Sequence, residues 1–284
     1  MCLYPKKALI NYYESDDGEL LQKMIFCSSE EKRQSLIEQF ENLVSVDLPC
    51  GKCVECLQQK SVEWSYRIML EASQYDKVCF ITLTYRDSPV TLVKKDLQNF
   101  IKRLRKFVCP LKIRYFACGE YGSKHKRPHY HVIIFGWRPD DMVCYNRTDR
   151  LYGSQILEKI WNKGFVSVGN VTLESARYCA KYMQKLQDIP DELVKPFVLM
   201  SLKPGIGLTA FLDKKQKYLP TDKIYFEGKY IKVPKYYLDV LKKKACDLQQ
   251  IEANRLMRLK KCYMMKKKDE ELVLLRKKKE SFLK

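Results

Sequence analysis

Two histidines at the head of an apolar segment are the residues best placed to do chemistry. His129 and His131 stand two positions apart in residues 127–136, a stretch whose apolar run predicts a buried strand. In a strand, residues i and i+2 project from the same face, so both imidazoles can reach one metal ion. The alternative is a pair of histidines at a surface edge, and the spacing alone does not decide between the two.

Two tyrosines form a second candidate group. Tyr178 and Tyr182 are i,i+4 neighbours in residues 175–185, which contain no Gly or Pro and predict a helix. At helical spacing both tyrosines fall away from the apolar stripe, on the side that carries Lys181 and Lys185. Tyrosines of a packed core would share the apolar stripe, so the pattern favours reactive phenols. The stripe itself consists of Leu173, Ala176, Cys179, Ala180, Met183 and Leu186.

Metal-binding histidines together with phenols indicate phosphoryl transfer to tyrosine. A phenol has a pKa of about 10 and is a poor nucleophile at neutral pH. A divalent cation helps because it polarises a phosphate oxygen and neutralises the charge that develops in an in-line displacement. A phenol is also a workable leaving group, so a DNA 3′-hydroxyl can attack a tyrosyl phosphodiester and restore the strand.

These motifs resemble those of the HUH endonucleases that start rolling-circle replication. The resemblance is greatest to the replication initiators of microviruses, in particular the gokushovirus-like branch. It covers residues 48–210 and depends on several motifs in the expected order, which are residues 80–85, 119–122, 128–131, the pair Tyr178 and Tyr182, and residues 203–207.

The resemblance implies a replication initiator that nicks the origin of a circular phage genome and rejoins strands. One tyrosine, Tyr178 or Tyr182, would become linked to the 5′-phosphate of the DNA, and the other would cut after one round. Lys181 would stabilise the phosphorane, lower the pKa of a phenol or contact backbone phosphate. A plasmid initiator, a single-strand transposase and a non-enzymatic basic DNA-binding protein remain as alternatives.

The metal site implied by the resemblance has a third ligand on a neighbouring strand, and Glu120 is the candidate. It ends a strand-like run whose loop returns the chain antiparallel toward His129 and His131. The alternative for Glu120 is a surface carboxylate in a Gly-bounded turn. Imidazole and carboxylate ligands with open positions suit Mg²⁺ or Mn²⁺, against competition from Zn²⁺. His125 is expected to be an exposed loop residue.

The charge of the chain indicates a polyanionic partner. Lys and Arg number 53 against 34 Asp and Glu, which gives a net charge of +19, and 12% of the residues are aromatic. Basic residues bind phosphates and aromatic faces stack on unpaired bases, so the composition predicts a nucleic-acid partner, as it equally would for a ribosomal or packaging protein. The family resemblance implies that this partner is single-stranded DNA at the origin. Lys126, Arg127 and Lys185 are expected to contact it. The resemblance implies host helicase and polymerase as further partners. The sequence lacks a phosphate-cradling G-x-x-x-x-G-K-[ST] motif, so no helicase or ATPase module is expected in the chain.

Cysteine usage predicts a structural metal and a reducing compartment. No segment has the roughly 20 apolar residues that span a bilayer, and the N-terminus lacks the apolar part of a secretory signal. The expected location is the cytoplasm of the bacterial host, where the twelve cysteines stay reduced. Cys50, Cys53 and Cys56 have C-x₂-C spacing twice, and Cys2 offers a fourth thiolate for Zn²⁺. The alternative is a set of reduced cysteines at the start of a helix.

The elements around these motifs predict an α+β fold with a central antiparallel sheet flanked by helices, as in the HUH (ferredoxin/RRM-like) endonucleases. We predict a Cys-rich N-terminal segment (1–75), the endonuclease core (76–190) and a loop-rich, then basic helical C-terminal region (191–284). Predicted helices cover residues 29–43 with Ser28 and Glu31 as a capping box, 57–75, 94–108, a segment from Ser154 to Gly164, and much of the chain after Pro234. Predicted strands cover residues 78–85 and 113–120, the apolar run within residues 127–136, and residues 165–171, and a hairpin at 225–231 turns at Glu227-Gly228.

Overall fold

The computed structural model describes residues 2–14, 20–40, 43–122, 125–181, 189–243, 248–249, 251–255 and 257. The strands are β1 (Lys6–Glu14), β2 (Leu20–Ile25), β3 (Leu43–Leu48), β4 (Val78–Thr84), β5 (Arg114–Tyr121), β6 (Pro128–Phe135), β7 (Val143–Asn146), β8 (Leu151–Gly153), β9 (Val166–Gly169), β10 (Phe197–Met200), β11 (Lys223–Phe226) and β12 (Lys229–Lys232). The helices are α1 (Glu30–Gln39), α2 (Val54–Ala72), α3 (Lys94–Val108), α4 (Gln155–Trp161), α5 (Leu173–Lys181), α6 (Leu208–Asp213), α7 (Lys215–Tyr218) and α8 (Lys235–Lys243).

The described part of the chain forms two compact units. The first unit takes its residues from 1–56, 219–222 and 238–284, and the second from 57–218 and 223–237. The second unit holds most of the helices and strands, including the predicted core at 76–190. The division of the chain at residues 75 and 190 stays a prediction. None of the helices among the described residues is long and apolar enough to cross a membrane.

A seven-stranded antiparallel sheet is the centre of the second unit. Its order among the described strands is β10-β5-β6-β4-β9-β8-β7, and each neighbouring pair runs antiparallel. The middle strands are buried on both faces, and successive residues of β6 show why. Val132 and Ile134 pack in a cluster with α3 and α4, whereas Ile133 and Phe135 pack in a cluster with α2 and α5. Helices therefore cover both faces, which confirms the predicted α+β architecture.

α3 matches its prediction at both ends. Its apolar residues recur at the i, i+3, i+4 spacing of one helix face, and all of them are buried against the sheet. Charged residues occupy the other face, so the periodicity of the sequence alone was enough to find the helix. The buried residues are Leu97, Phe100, Ile101, Leu104 and Val108.

The ends of three other helices differ from the predictions. α1 begins after Ser29, whose Oγ accepts a hydrogen bond from the Lys32 amide, so the predicted cap at Ser28 is wrong. α2 begins and ends three residues earlier than predicted. α4 begins after Ser154 as predicted, but it ends at Asn162 in the left-handed conformation rather than at Gly164.

The first unit contains a three-stranded sheet that was not predicted. Its order is β2-β1-β3, with antiparallel pairing throughout. Ala8, Ile10 and Val46 form its small buried cluster. The sequence of β1 mixes lysine, asparagine and tyrosine with a few apolar residues, so the alternation that marks a half-buried strand is weak. The segment was therefore interpreted as a polar lead-in to α1.

Residues 203–207, one of the motifs in the family resemblance, are held by their backbone. The Arg114 guanidinium donates to the carbonyls of Lys203 and Pro204, and Glu71 accepts a hydrogen bond from the Gly207 amide at 2.7 Å. Gly207 has a φ of +75°, and a Cβ there would collide with the Arg67 carbonyl. Glycine is required at this position because both the conformation and the close approach exclude a side chain.

Candidate active site

The β5–β6 hairpin brings the three predicted metal ligands together. Glu120 lies directly opposite His129 in the antiparallel register, and His131 projects from the same face two residues later. The Nε2 atoms of His129 and His131 lie 2.6 Å and 2.9 Å from Glu120 Oε1. The three side chains each offer one ligand atom, and these atoms lie within 4.8 Å of one another. The set is compact enough to hold one cation.

The burial of Glu120 supports a cation at this site. Its side chain is 1% exposed, so the carboxylate has exchanged water for protein contacts. Oε1 has hydrogen-bond partners, but Oε2 is buried and has none among the described residues. An unsatisfied buried carboxylate oxygen is costly, and a divalent cation is a natural partner for it. The donor set of one carboxylate and two imidazoles therefore fits a bound divalent metal.

Neighbouring groups aim the two imidazoles at Glu120. His129 Nδ1 lies 3.2 Å from the Arg127 carbonyl, which can only accept, so Nδ1 is protonated, and Nε2 becomes free to bind a metal once it loses the proton that it donates to Glu120. His131 Nδ1 lies 3.0 Å from Thr82 Oγ1 on β4. The Phe80 ring stacks on the His131 ring with centroids 5.4 Å apart. Phe80 and Thr82 belong to the motif at residues 80–85, and their contacts give that motif a physical role.

The protonation states of Glu120 and His131 favour metal binding, whereas the raised pKa of His129 opposes it. Burial raises the pKa of Glu120, but hydrogen bonds from His129 and His131 outweigh it and lower that pKa to about 2. Burial lowers the pKa of His131, since its charged form would be poorly solvated. For His129, burial has the same effect, but the hydrogen bond to Glu120 outweighs it and raises the pKa. The carboxylate is ionised at neutral pH and His131 is neutral, as metal ligands must be.

α5 brings a phenol to the same carboxylate. Ala176, Cys179 and Ala180 are buried against the sheet, as the predicted stripe requires, and this docks the helix over β5 and β6. Tyr178 stays 43% exposed, yet its hydroxyl donates to Glu120 Oε1 at 2.7 Å.

The Tyr178 ring also stands edge-on to His131, with centroids 5.0 Å apart. Burial of the hydroxyl and the adjacent Glu120 carboxylate raise the pKa of Tyr178. The phenol is therefore protonated at neutral pH in the metal-free site, and a nucleophilic role requires activation.

Comparison with known proteins places this site in a family. A family model for replication-associated proteins of the ORF2 type matches residues 78–187, which include Glu120, both histidines and Tyr178. The replication-associated protein ORF2 of Spiroplasma virus 4 is 34% identical over 218 residues, which cover 69% of this chain and 68% of that protein. The chain belongs to the replication-associated protein family of phages.

Two further phage proteins are similar in sequence to this chain. The replication-associated protein VP4 of Bdellovibrio phage phiMH2K is 33% identical over 223 residues, with 72% of this chain and 70% of that protein covered. The replication-associated protein ORF4 of Chlamydia phage 1 is 31% identical over 217 residues, with 70% of this chain but 54% of that protein covered. No solved structure matches the chain. The predicted relationship to microvirus initiators is confirmed.

The other predicted residues of this replication-associated protein are placed as follows. Lys181 is exposed at the described end of α5, and Lys126 is exposed in the β5–β6 loop with a φ of +51°. The Arg127 guanidinium donates to the carbonyls of Tyr85 and Arg86, so it holds the loop against the end of β4. His125 is exposed, as expected. Tyr182 and Lys185 lie outside the described residues.

The cysteine cluster of the replication-associated protein forms a second compact group of ligand atoms. The sulfur atoms of Cys2, Cys50, Cys53 and Cys56 lie within 4.8 Å of one another. Cys2 Sγ is 3.8 Å from Cys53 Sγ, and Cys50 Sγ is 3.9 Å from Cys56 Sγ. A disulfide has a sulfur–sulfur distance of about 2.05 Å, so these are free thiols.

Backbone amides favour the thiolate forms of Cys50 and Cys53. At Cys56 the Gly51 amide also lowers the pKa, but burial and hydrogen bonds to the other three cysteines outweigh it and raise the pKa to about 12. The amides of Lys52 and Cys53 donate to Cys50 Sγ at 3.5 Å and 3.3 Å, and they lower the pKa of Cys50. Hydrogen bonds from the backbone at Cys56 and Leu3 lower the pKa of Cys53 to about 6. Amide donors around a cysteine sulfur stabilise negative charge there, which is the state in which cysteine binds a metal.

Proposed function

We propose that this chain starts rolling-circle replication as a metal-dependent endonuclease that nicks the origin strand and rejoins it. The observation that carries the proposal is the position of the Tyr178 hydroxyl, 2.7 Å from the Glu120 oxygen that also faces both imidazoles. This short distance supports the proposal because the candidate nucleophile lies beside the candidate metal ligands. The relatives are phage replication-associated proteins, which favours a phage initiator over a plasmid initiator or a transposase.

The proposed reaction is a transesterification at phosphorus. The Tyr178 oxygen attacks the scissile phosphate, the Oη–P bond forms and the bond from phosphorus to the 3′-oxygen breaks. The phenol loses its proton and the departing 3′-oxygen gains one, so atoms and charge balance. The reverse reaction uses a 3′-hydroxyl to release the tyrosine and restore the phosphodiester. A bound Mg²⁺ or Mn²⁺ supplies charge neutralisation at the phosphate.

Each residue of the candidate site has its own role in the proposed reaction. Glu120, His129 and His131 would hold the cation, and Thr82 with the Arg127 carbonyl orients the imidazoles. Lys181 follows Tyr178 by three residues, which at helical spacing is the same side of α5, and its charge would stabilise the pentacoordinate phosphorus. Tyr182 would serve as the second nucleophile.

The freed 3′-hydroxyl would be extended by a host polymerase with a host helicase, in the cytoplasm of the infected bacterium. In this proposal the chain itself catalyses only the nicking and joining steps.

The test is adduct formation on single-stranded origin DNA. Full-length chain is incubated with Mn²⁺ and a labelled oligonucleotide and run on a denaturing gel, where a covalent complex migrates with the protein. We expect an adduct that disappears with chelator, with His129→Ala and with the double substitution Tyr178→Phe, Tyr182→Phe. Tyr145→Phe is the matched control, since Tyr145 is an exposed tyrosine of the same unit on β7. Cleavage that leaves free 5′-phosphates and no adduct contradicts the mechanism.

We also propose that the four cysteines hold a structural Zn²⁺. A tetrahedral site with Zn–S bonds of about 2.3 Å has sulfur–sulfur edges of about 3.8 Å. The Cys2–Cys53 and Cys50–Cys56 distances of 3.8 Å and 3.9 Å match this value. Such a site would tie the N-terminus to the start of α2, because Cys2 and Cys56 are 54 positions apart in the chain.

Metal analysis tests the zinc proposal independently of activity. We expect about one zinc per chain in protein purified without added metal, retained in His129→Ala and in Cys144→Ser. Cys144 is an exposed cysteine outside the cluster and serves as the matched control. Cys53→Ser should lose the zinc. Replacement of the metal by Co²⁺ should give the visible absorption bands of tetrahedral cobalt thiolate. Iron in place of zinc, or zinc that survives Cys53→Ser, overturns the assignment.

A further inference from the structure

The β11–β12 hairpin presents an aromatic and basic face that the nicking chemistry does not use. The two strands pair with Lys223 opposite Lys232 and Tyr225 opposite Tyr230. Residues alternate between faces along a strand, so these four side chains share one face. Ile224 and Ile231 occupy the other face and are buried.

The turn of the hairpin fixes this arrangement. Glu227 and Gly228 form a two-residue connection with φ values of +47° and +73°, the positive values that a type I′ turn requires. Such turns match the twist of paired strands and set the register. The hairpin predicted from the sequence at 225–231 is confirmed, and its exposed face is therefore defined by the pairing.

The aromatic rings of this face remain accessible. Tyr225 is 48% exposed and Tyr230 is 54% exposed, with ring centroids 5.7 Å apart. Lys223 Nζ lies 4.2 Å from the centroid of the Tyr230 ring, and Lys232 is exposed at the far end of the same pair of strands. Exposed tyrosines flanked by lysines are the combination that binds single strands, since rings stack on bases and ammonium groups contact phosphates.

A cleft lies between this hairpin and α5, the helix that carries Tyr178. It has a volume of about 480 Å³, and its lining includes Tyr66 from α2, Arg177 from α5, and Lys229 and Tyr230 from the hairpin. Arg177 directly precedes Tyr178 in the chain. A DNA strand bound to the hairpin face would pass the basic side chains of this cleft on its way to the candidate active site, which belongs to the same compact unit.

We infer that the β11–β12 hairpin is a binding platform for single-stranded DNA, on which unpaired bases stack against Tyr225 and Tyr230. The inference rests on the proposed function, because it supplies the strand that Tyr178 would attack. Duplex DNA keeps its bases stacked on one another, so it cannot use the rings in this way. The platform is therefore specific for unpaired strands and tolerant of sequence.

Binding measured without chemistry tests the inference. Fluorescence anisotropy with a labelled oligothymidylate and chelator is recorded for full-length Tyr178→Phe, which cannot form the proposed adduct through Tyr178. When Tyr225→Ala and Tyr230→Ala are introduced together into this Tyr178→Phe parent, DNA binding should weaken about tenfold to 100-fold, because the bases lose the rings on which they stack. The matched pair Tyr225→Phe and Tyr230→Phe keeps the rings and should bind within about twofold of the parent. Tyr145→Ala, which removes an exposed tyrosine on β7, is the control for a general loss of aromatic surface.

Salt dependence and crosslinking provide independent measurements. Lys223→Gln with Lys232→Gln should reduce the slope of log affinity against log salt by about 1.4, since each phosphate contact to a single strand contributes about 0.7. Photocrosslinking of wild-type chain to an oligonucleotide containing 5-iodouracil should label the peptide that spans residues 223–232. This second measurement needs no substitution and so does not depend on how a variant folds.

The outcomes separate this inference from the nicking proposal. Unchanged affinity of the alanine variants, equal hairpin-dependent affinity for duplex, or no crosslink within residues 223–232 would each overturn the platform. The adduct assay with wild-type chain would be unaffected by that result. Conversely, hairpin-dependent binding without any adduct would overturn the nicking proposal and leave the platform standing.

Discussion

Thr82 lies directly opposite His131 in the β4–β6 register, and its hydroxyl is 3.0 Å from His131 Nδ1. The next threonine on the same face, Thr84, lies opposite His129 but directs its hydroxyl to the Phe165 carbonyl. Two threonines of one strand thus stand beside the two imidazoles, and only one of them has its hydroxyl within hydrogen-bonding distance of a ring nitrogen.

This difference predicts unequal effects of two matched substitutions. Thr82→Val removes the hydroxyl that orients His131 and should weaken Mn²⁺ binding about tenfold to 100-fold, the usual effect of losing a partner behind a metal ligand. Thr84→Val should leave the affinity within about twofold. Calorimetric titration with Mn²⁺ measures both. Equal losses in the two variants would show that Thr82 acts only through packing of the sheet.

Metal binding should stabilise the fold through Glu120. A ligand present at 100 times its dissociation constant adds about 2.7 kcal/mol to the free energy of unfolding, so saturating Mn²⁺ should raise the melting temperature of wild-type chain. Glu120→Gln should abolish this rise, because the anionic ligand is gone. Glu158→Gln, at an exposed position of α4, should keep it. A rise that persists in Glu120→Gln would place the responsible cation elsewhere.

The ion pair between Arg114 and Glu71 should matter far more than a surface pair. Arg114 Nε lies 2.6 Å from Glu71 Oε1, and the two side chains are 15% and 5% exposed. Glu71→Ala leaves the guanidinium and the Gly207 amide without their partner, so it should lower the free energy of unfolding by about 3 kcal/mol.

The pair Lys77–Asp140 supplies the comparison, since its side chains are 63% and 84% exposed. Asp140→Ala should cost less than about 1 kcal/mol. Urea unfolding of both variants gives the two values, and a similar small loss for Glu71→Ala would contradict the structural role assigned to residues 203–207.

Asp141 should link stability to pH at the start of α4. Its carboxylate accepts hydrogen bonds from Ser154 Oγ and the Ile156 amide. Partial burial raises the pKa of Asp141, but these hydrogen bonds outweigh it and the pKa is lowered. A carboxyl group whose folded-state pKa lies below its unfolded value stabilises the fold above the unfolded pKa, and that contribution is lost as the pH falls through the folded-state pKa.

Asp141→Asn should therefore cost about 1 kcal/mol at neutral pH, a typical value for a helix-capping interaction. The difference from wild type should shrink steadily as the solution is acidified below about pH 4. Urea unfolding at several pH values measures it. A difference that stays constant over this range would show that the charge of Asp141 has no part in the cap.

Much of the candidate site could be predicted because its geometry is local. The i, i+2 spacing of His129 and His131 and a short return loop from Glu120 are enough to place three ligands on one face. The apolar stripe of α5 predicted only which side of the helix is buried, and the contact between Tyr178 and Glu120 depends on where the helix docks on the sheet.

The parts that could not be predicted depend on distant partners. The contact of Arg127 with DNA stays a prediction, and the hydrogen bonds from its guanidinium to carbonyls at the end of β4 are ones that no local pattern reveals. The orienting role of Thr82 required the β4–β6 register, because residues 82 and 131 are 49 positions apart. The sheet of the first unit was missed because half-polar strands give a weak alternation signal.

The three proposed metal ligands lie close together in the sequence, whereas the proposed nucleophile is distant from them. Glu120, His129 and His131 belong to one hairpin and are at most 11 positions apart, whereas Tyr178 comes to Glu120 from 58 positions away. The three proposed ligands of the cation thus come from one contiguous stretch of about twenty residues. If this hairpin were grafted into the antiparallel sheet of an unrelated protein, we expect that it would bind a cation there without the tyrosine.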